Sequence, residues 1–98
     1  MYCVSCLKQM LQKLNDNDVI LLERLMTENA NIPQCSLGMK TLIDIYKDNE
    51  NITPHIIYTS MKRLNIFGFV ETQKWTRKNK FYITNDGIQL LKIMQQNI

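Results

Sequence analysis

One helix of this sequence has both a clear start and a clear stop, and it constrains the fold more than any other feature. Thr53 and Pro54 mark the start, because a Thr hydroxyl caps free backbone N–H groups and a Pro at the first helical position lacks one. Gly68 marks the stop, since glycine readily adopts the left-handed conformation that ends a helix. The sequence therefore predicts a helix from Pro54 to Phe67.

A β-hairpin is predicted directly after this helix. Two runs rich in aromatic and β-branched residues, 69–75 and 80–84, are joined by the polar loop 76–79, which is the pattern of two paired strands. Thr84 or Asn85 then caps a final helix. The buried side of that helix is formed by Ile88, Leu91, Ile93 and Met94.

Two helices are predicted at the start of the chain. The first covers about residues 3–14, with an apolar seam at helical spacing, and the second runs from a cap within 15–18 to about Glu28. The seam consists of Val4, Leu7, Leu11 and Leu14.

A third helix is predicted before the well-delimited one. The loop 29–34 contains one very short strand around Ile32, and Ser36 is the predicted N-cap of the helix that follows. Residues 48–51 break it. Its apolar positions are Leu37, Leu42, Ile45 and Tyr46.

Two helices joined by a short turn and followed by a hairpin with a basic tip form the order of a winged helix-turn-helix. In this arrangement the helix after the turn enters the DNA major groove, and the hairpin, or wing, lies along the phosphates. The 98 residues suffice for one hydrophobic core. We therefore predict a single domain over residues 1–98 of class α+β, mainly α, with an extra N-terminal helix, a two-stranded wing and a C-terminal helix.

Charge is distributed unevenly along the chain. Residues 1–50 contain five basic and seven acidic side chains, whereas residues 51–98 contain seven basic and only two acidic ones. This asymmetry favours an anionic partner such as double-stranded DNA, although a basic hairpin tip can also serve only solubility. The wing bases are Lys74, Arg77, Lys78 and Lys80.

The helix after the turn divides into two faces by its period. Ile57, Met61 and Leu64, with Ser60 between them, face the core. The predicted DNA-contacting residues of this recognition helix are Thr53, His55, Ile56, Tyr58, Thr59, Lys62 and Arg63, joined by Lys40 and Thr41 on the preceding helix. An alternative use of Ile56, Tyr58 and Trp75 is an apolar docking patch in a protein-interaction module that binds no DNA.

The cysteines offer a weaker signal. Cys3 and Cys6 have the spacing of half a zinc site, and only Cys35 and His55 are available to complete it. We predict no metal and no cofactor, and keep redox or metal sensing by the three cysteines as an alternative.

No nucleophile–base arrangement or Gly-rich phosphate loop is present in the sequence, so an enzyme is not predicted. The N-terminus has no secretory pattern and no apolar run long enough for a membrane span, which predicts a cytoplasmic protein.

The stretches 53–70 and 81–91 resemble bacterial winged helix-turn-helix regulators. They share a recognition helix ending in hydrophobic-Gly-hydrophobic and an aromatic strand leading into Thr-x-x-Gly. Within that superfamily the chain looks most like TubR, the small centromere-binding proteins of plasmids and phages. The resemblance implies a homodimer that binds repeated DNA sites and links them to a tubulin-like GTPase filament, and repression of its own gene is a compatible role. Repressors of the MarR or PadR type share most of these signals.

A homodimer needs a pairing surface. The first helix, within residues 1–15, and the last helix are the candidates, although both can instead pack on their own core. The predicted interface residues are Val4, Leu7, Leu11, Leu14, Leu91 and Met94.

Overall fold

The computed structural model describes residues 3–72 and 80–96, which form five α-helices and a small antiparallel sheet. The fold class predicted from sequence is confirmed. The helices are α1 (Val4–Leu11), α2 (Asp16–Thr27), α3 (Met39–Ile45), α4 (Pro54–Ile66) and α5 (Asn85–Gln96). The strands are β1 (Leu37–Gly38), β2 (Val70–Thr72) and β3 (Lys80–Ile83), with one 3₁₀ turn at Pro33–Cys35.

Local capping explains where α2 begins. The Asp18 N–H donates to Asn15 Oδ1 at 3.0 Å, and the Asn15 N–H donates back to Asp18 Oδ2 at 3.2 Å. This reciprocal pair satisfies two backbone donors that a helix start otherwise leaves without partners.

The end of α4 follows from glycine at position 68. Gly68 has a φ of 81°, and its N–H donates to the Asn65 carbonyl at 3.1 Å while the Phe69 N–H donates to the Leu64 carbonyl at 3.0 Å. These two bonds form a Schellman motif, in which a residue in the left-handed conformation closes the last turn. The predicted stop at Gly68 is confirmed.

The sheet contains the predicted hairpin and one further strand. Its order is β1-β3-β2, with both pairs antiparallel. The additional strand, β1, pairs Leu37 with Phe81 and Gly38 with Lys80. The strand expected around Ile32 therefore lies later in the chain.

The predicted start of α3 is also wrong. The N-cap is Gly38 and not Ser36, because the chain between them is held extended by β3. The Ser36 hydroxyl donates to the Pro33 carbonyl at 2.8 Å and closes the 3₁₀ turn. Pairing with a strand more than 40 residues away thus overrides the local capping signal.

The Thr-x-x-Gly motif joins the hairpin to α5 and to the end of α4. Thr84 Oγ1 donates to the Gly68 carbonyl at 2.6 Å and accepts the Gly87 N–H at 3.2 Å, which confirms Thr84 as a cap. A Cβ at Gly87 would lie 2.5 Å from the Phe69 carbonyl oxygen. Position 87 therefore requires glycine for close approach of the helix to the strand.

The core is formed by side chains from α1 to α5 and from β2 and β3. Helix α4 packs against α2, α3 and β2, and α1 packs against α5. Leu7 and Leu91 are buried within this single subunit, exposed by only 2% and 5%, so they cannot form the dimer surface predicted for them. Within the apolar seam of α1, Leu7 is thus packed inside the subunit, on the side of α5. No helix among the described residues is long and apolar enough to cross a membrane.

Candidate nucleic-acid interface

The inner face of α4 fixes the orientation of that helix. Ile57, Ser60, Met61 and Leu64 are all buried, as the period predicted, and the helix contacts α2, α3 and β2. Because interiors are close-packed, a helix held on three sides has little freedom to rotate. Its outer face is therefore presented in one orientation.

The outer face carries a ridge of four residues, which we call the α4 ridge: His55, Thr59, Lys62 and Ile66. Their spacing places them on one line of the helix surface, opposite the buried positions. His55 and Lys62 are exposed and Thr59 is half-buried, while Ile66 is 73% exposed. The sequence prediction missed Ile66, although its helical spacing from His55 places it on the same line.

Tyr58 lies on one flank of this ridge and is 55% exposed. Ile56 lies on the opposite flank and is half-buried. The predicted recognition residues are thus divided between a central ridge and two flanks, and the flanks differ in accessibility.

Two hydroxyls on α4 already have backbone partners. Thr53 Oγ1 accepts the Ile56 N–H at 3.3 Å, and Thr59 Oγ1 donates to the His55 carbonyl at 2.9 Å. A hydroxyl has one donor and two acceptor sites. Thr53 can still donate, and Thr59 can still accept, one hydrogen bond from outside the protein.

Arg63 faces α2 instead of solvent. Its Nη1 lies 2.7 Å from both carboxylate oxygens of Asp18, whose side chain is fully buried, while the Arg63 side chain is 32% exposed. The same carboxylate closes the capping box with Asn15. The bond joins residues 45 apart in the chain, which no local sequence pattern signals.

The helix before the turn adds two exposed side chains. Lys40 and Thr41 line an open depression of about 350 Å³ together with Asp44 and Ile45. Lys80 is brought to the same region, because it pairs with Gly38 at the start of α3. The base of the wing and α3 are thus adjacent. The other three predicted wing bases, Lys74, Arg77 and Lys78, lie outside the described residues.

A second open depression, of about 410 Å³, lies beside the hairpin and has an acidic lining. The Tyr82 hydroxyl donates to Glu71 Oε2 at 3.1 Å. Burial raises the pKa of Tyr82, and the hydrogen bond to Glu71 raises it further. The acidic lining, which includes Glu71 and Asp86, makes this depression unsuited to phosphate.

The four candidate zinc ligands do not form one site, although Cys3 and Cys6 lie next to each other. Cys3, Cys6 and Cys35 are all free and exposed, and His55 lies at the start of α4. In the described ranges no group of three or more His, Cys, Asp or Glu side chains is placed to hold a metal ion.

Comparison with known proteins identifies the fold. No protein-family model matches the sequence, and no curated protein matches it significantly. The structure is similar to that of TubR from Bacillus megaterium pBM400, with a TM-score of 0.71 and 22% sequence identity over 88% of this chain and 91% of that chain. At this identity the similarity concerns the three-dimensional arrangement, and the chain therefore has a winged helix fold like that of TubR.

Proposed function

We propose that this protein is a sequence-specific, dimeric DNA-binding protein that places α4 in the major groove and the wing along the phosphates. The observation that supports this most is the α4 ridge. It presents His55, Thr59 and Lys62 on a helix whose orientation is fixed by its buried face. A pre-organised helix of this kind loses little freedom when it binds.

The exposed residues suit different parts of the DNA. Lys62 is a flexible cation that suits phosphate, and His55, Tyr58 and Thr59 offer hydrogen bonds to base edges. For Ile56 we propose contact with thymine methyl groups. The remaining proposed DNA contacts are Thr53, Lys40, Thr41, Lys74, Arg77, Lys78 and Lys80.

For Arg63 we propose a different role from the phosphate contact expected from sequence. Its ion pair with Asp18 holds α4 against α2 and sets the angle at which the α4 ridge meets DNA. A charge already engaged with a buried carboxylate adds little to counterion release.

The preferred biological role is that of a centromere-binding adaptor in plasmid or phage partition, which also represses its own gene. The resemblance to the TubR family and the similarity of fold to TubR support it. The adaptor would bind repeated sites and link them to a tubulin-like GTPase filament. A plain repressor of the MarR or PadR type would use the same α4 ridge. The two roles are separated by cosedimentation, in which the DNA complex is mixed with filaments of a tubulin-like GTPase encoded beside the gene. An adaptor should pellet with the filaments, and a plain repressor should not.

The test of DNA binding uses fluorescence anisotropy with the DNA that flanks the protein's own gene. Lys62→Ala should lower the slope of log affinity against log salt by about 0.9, the value for one phosphate that the protein no longer neutralises. The matched control is Lys92→Ala, since Lys92 is exposed on α5 away from the proposed interface. Equal slopes for the two variants would remove α4 from the interface.

The wing is tested in the same titration. Replacing Lys74, Arg77, Lys78 and Lys80 by Ala should weaken binding to all sequences alike and lower the slope by about 0.9 for each phosphate that is no longer neutralised. An unchanged slope would exclude the wing.

A protein-interaction module without DNA binding is the second candidate, favoured by the exposure of Tyr58 and Ile66 at 55% and 73%. Absence of any salt-dependent DNA binding would support it. Trp75, the other aromatic residue of the predicted docking patch, lies outside the described residues.

The homodimer remains a proposal with a smaller set of contacts. Val4 is 59% exposed, and Leu11, Leu14 and Met94 are half-buried beside the core, so these four keep apolar surface for a second copy. Sedimentation velocity should show a dimer at micromolar concentration. A monomer at high micromolar concentration would contradict the pairing.

A further inference from the structure

Two thiols meet at the start of α1, in a part of the molecule that DNA binding does not use. Cys3 Sγ and Cys6 Sγ are 2.9 Å apart, and both residues are free and exposed. Cys3 is the N-cap of α1, and its sulfur accepts the Cys6 N–H at 3.4 Å and lies 3.4 Å from Ser5 Oγ. One turn of helix therefore holds the two sulfurs in contact.

The two thiols have different acidities. The hydrogen bond between the Cys3 and Cys6 thiols, with smaller contributions from the Ser5 hydroxyl and the Cys6 N–H, lowers the pKa of Cys3 to about 7. The same contact raises the pKa of Cys6. The thiolate is the nucleophilic form of cysteine. Cys3 is thus the attacking sulfur, and Cys6 is placed to react second.

A closed zinc site is not favoured by the surroundings. Structural zinc takes four protein ligands, and no third His, Cys, Asp or Glu joins this pair within residues 3–72 and 80–96. Two adjacent thiols without further ligands suit exchange with a disulfide.

We propose that Cys3 and Cys6 form a thiol–disulfide exchange site that reacts with low-molecular-weight disulfides such as oxidised glutathione. The Cys3 thiolate attacks one sulfur of the reagent, its S–S bond breaks, and one glutathione thiolate leaves. Cys6 then loses its proton and attacks Cys3 Sγ in the mixed disulfide, which releases the second glutathione. The protein dithiol is oxidised to a Cys3–Cys6 disulfide while one glutathione disulfide is reduced to two thiols.

We expect the reaction to leave the fold and the α4 ridge unchanged. Both cysteines are exposed, and α1 reaches the core through Leu7, which is buried, on the side of α5. Helix α4 packs on other elements. The site therefore stands or fails independently of the proposed DNA binding.

Cys35 provides a built-in comparison, since it is an exposed cysteine without a second thiol beside it among the described residues. The test treats the Cys35→Ser variant with oxidised glutathione at pH 7 and determines the intact mass. We expect a product lighter by two hydrogen atoms with no glutathione retained. The Cys3→Ser/Cys35→Ser and Cys6→Ser/Cys35→Ser variants should each retain one glutathione, because the second thiol that releases it is missing.

Rate measurements separate this site from ordinary surface cysteines. At pH 7 a much larger fraction of Cys3 is thiolate, but a thiolate of lower pKa is also several-fold less nucleophilic, and the two effects together make alkylation about fivefold faster than at a free cysteine thiol. Iodoacetamide and peptide mass spectrometry should place that faster reaction on Cys3 and the slower one on Cys35.

Three results would overturn the proposal. The first is stable glutathione on Cys3 or Cys6 in the Cys35→Ser variant, and the second is no reaction of that variant under conditions that modify Cys35 in the wild type. The third is stoichiometric zinc in the purified protein that protects both thiols from iodoacetamide. Circular dichroism of each variant confirms that it is folded, so none of these outcomes can be attributed to unfolding.

Discussion

The inner and outer faces of α4 belong to one helix of 13 residues but obey different constraints. The inner face is buried and contains almost only apolar side chains, whereas the outer face combines His55, Thr59, Lys62 and Ile66 in an exposed ridge. Packing determines the first, whereas the second is mostly exposed to solvent. Stability and the proposed DNA recognition are therefore separable on this helix, and substitutions on the two faces should have different consequences.

Arg63 lies between these faces and gives the sharpest test of the comparison. We expect Arg63→Ala to lower the free energy of unfolding by about 3–5 kcal/mol, because it leaves the buried Asp18 carboxylate without its cation. Urea denaturation followed by circular dichroism measures the change. The matched control is Arg24→Ala, which removes an exposed ion pair with Glu28 and a ring contact with Tyr46, at a cost of about 1 kcal/mol.

If the two arginine variants lost the same free energy of unfolding, the ion pair with Asp18 would contribute no more to stability than the exposed contacts of Arg24. Titration of the folded Arg63→Ala protein with DNA also tests whether Arg63 contacts DNA. If the slope of log affinity against log salt were lower by about 0.9 in that variant, Arg63 would contact a phosphate. Arg63 would then belong to the DNA-contacting residues, and the two faces of α4 would not have separate roles.

A second substitution lies outside α4, at the junction of β3 and α5. Gly87→Ala should lower the free energy of unfolding by about 1–3 kcal/mol, since the new Cβ would meet the Phe69 carbonyl and the Ile83 side chain. Thermal and urea unfolding measure this loss. The control is Gln89→Ala, at an exposed position of α5, which should change the free energy of unfolding by no more than about 0.5 kcal/mol. A stable Gly87→Ala protein would mean that the junction of β3 and α5 can relax.

The outer face should show the opposite behaviour. Thr59→Ala is expected to weaken binding to the cognate site by about 1–3 kcal/mol, the usual worth of a good base contact, and to leave non-specific binding and unfolding nearly unchanged. Competition anisotropy with cognate and random DNA measures the difference. Equal weakening on both DNAs would show that Thr59 does not read bases.

Much of the fold could be predicted because its signals are local. The start of α4 depends on Thr53 and Pro54 and its end on Gly68, all within a few residues of the boundary that they set. The buried positions of α4 follow from helical period alone. The outer face follows from the same period, apart from the overlooked Ile66 and from Arg63, which pairs with Asp18.

The errors have a common cause, which is that distant partners decided the outcome. Strand β1 exists because Leu37 and Gly38 meet β3, and this pairing moved the start of α3 away from Ser36. Leu7 and Leu91 are buried because α1 packs on α5. Arg63 is engaged because Asp18 lies beside it in space.

The sequence by itself determined the order of the five helices and the hairpin, the caps of α2, α4 and α5 and the separation of charge between the two halves of the chain, since each depends on near neighbours or on composition. Only the tertiary structure decided that Arg63 of α4 pairs with Asp18 and that Lys80 lies beside α3. It also decided which apolar residues keep exposed surface for a second copy. These outcomes depend on pairs of residues far apart in the chain, and such pairs form only when the whole core is assembled.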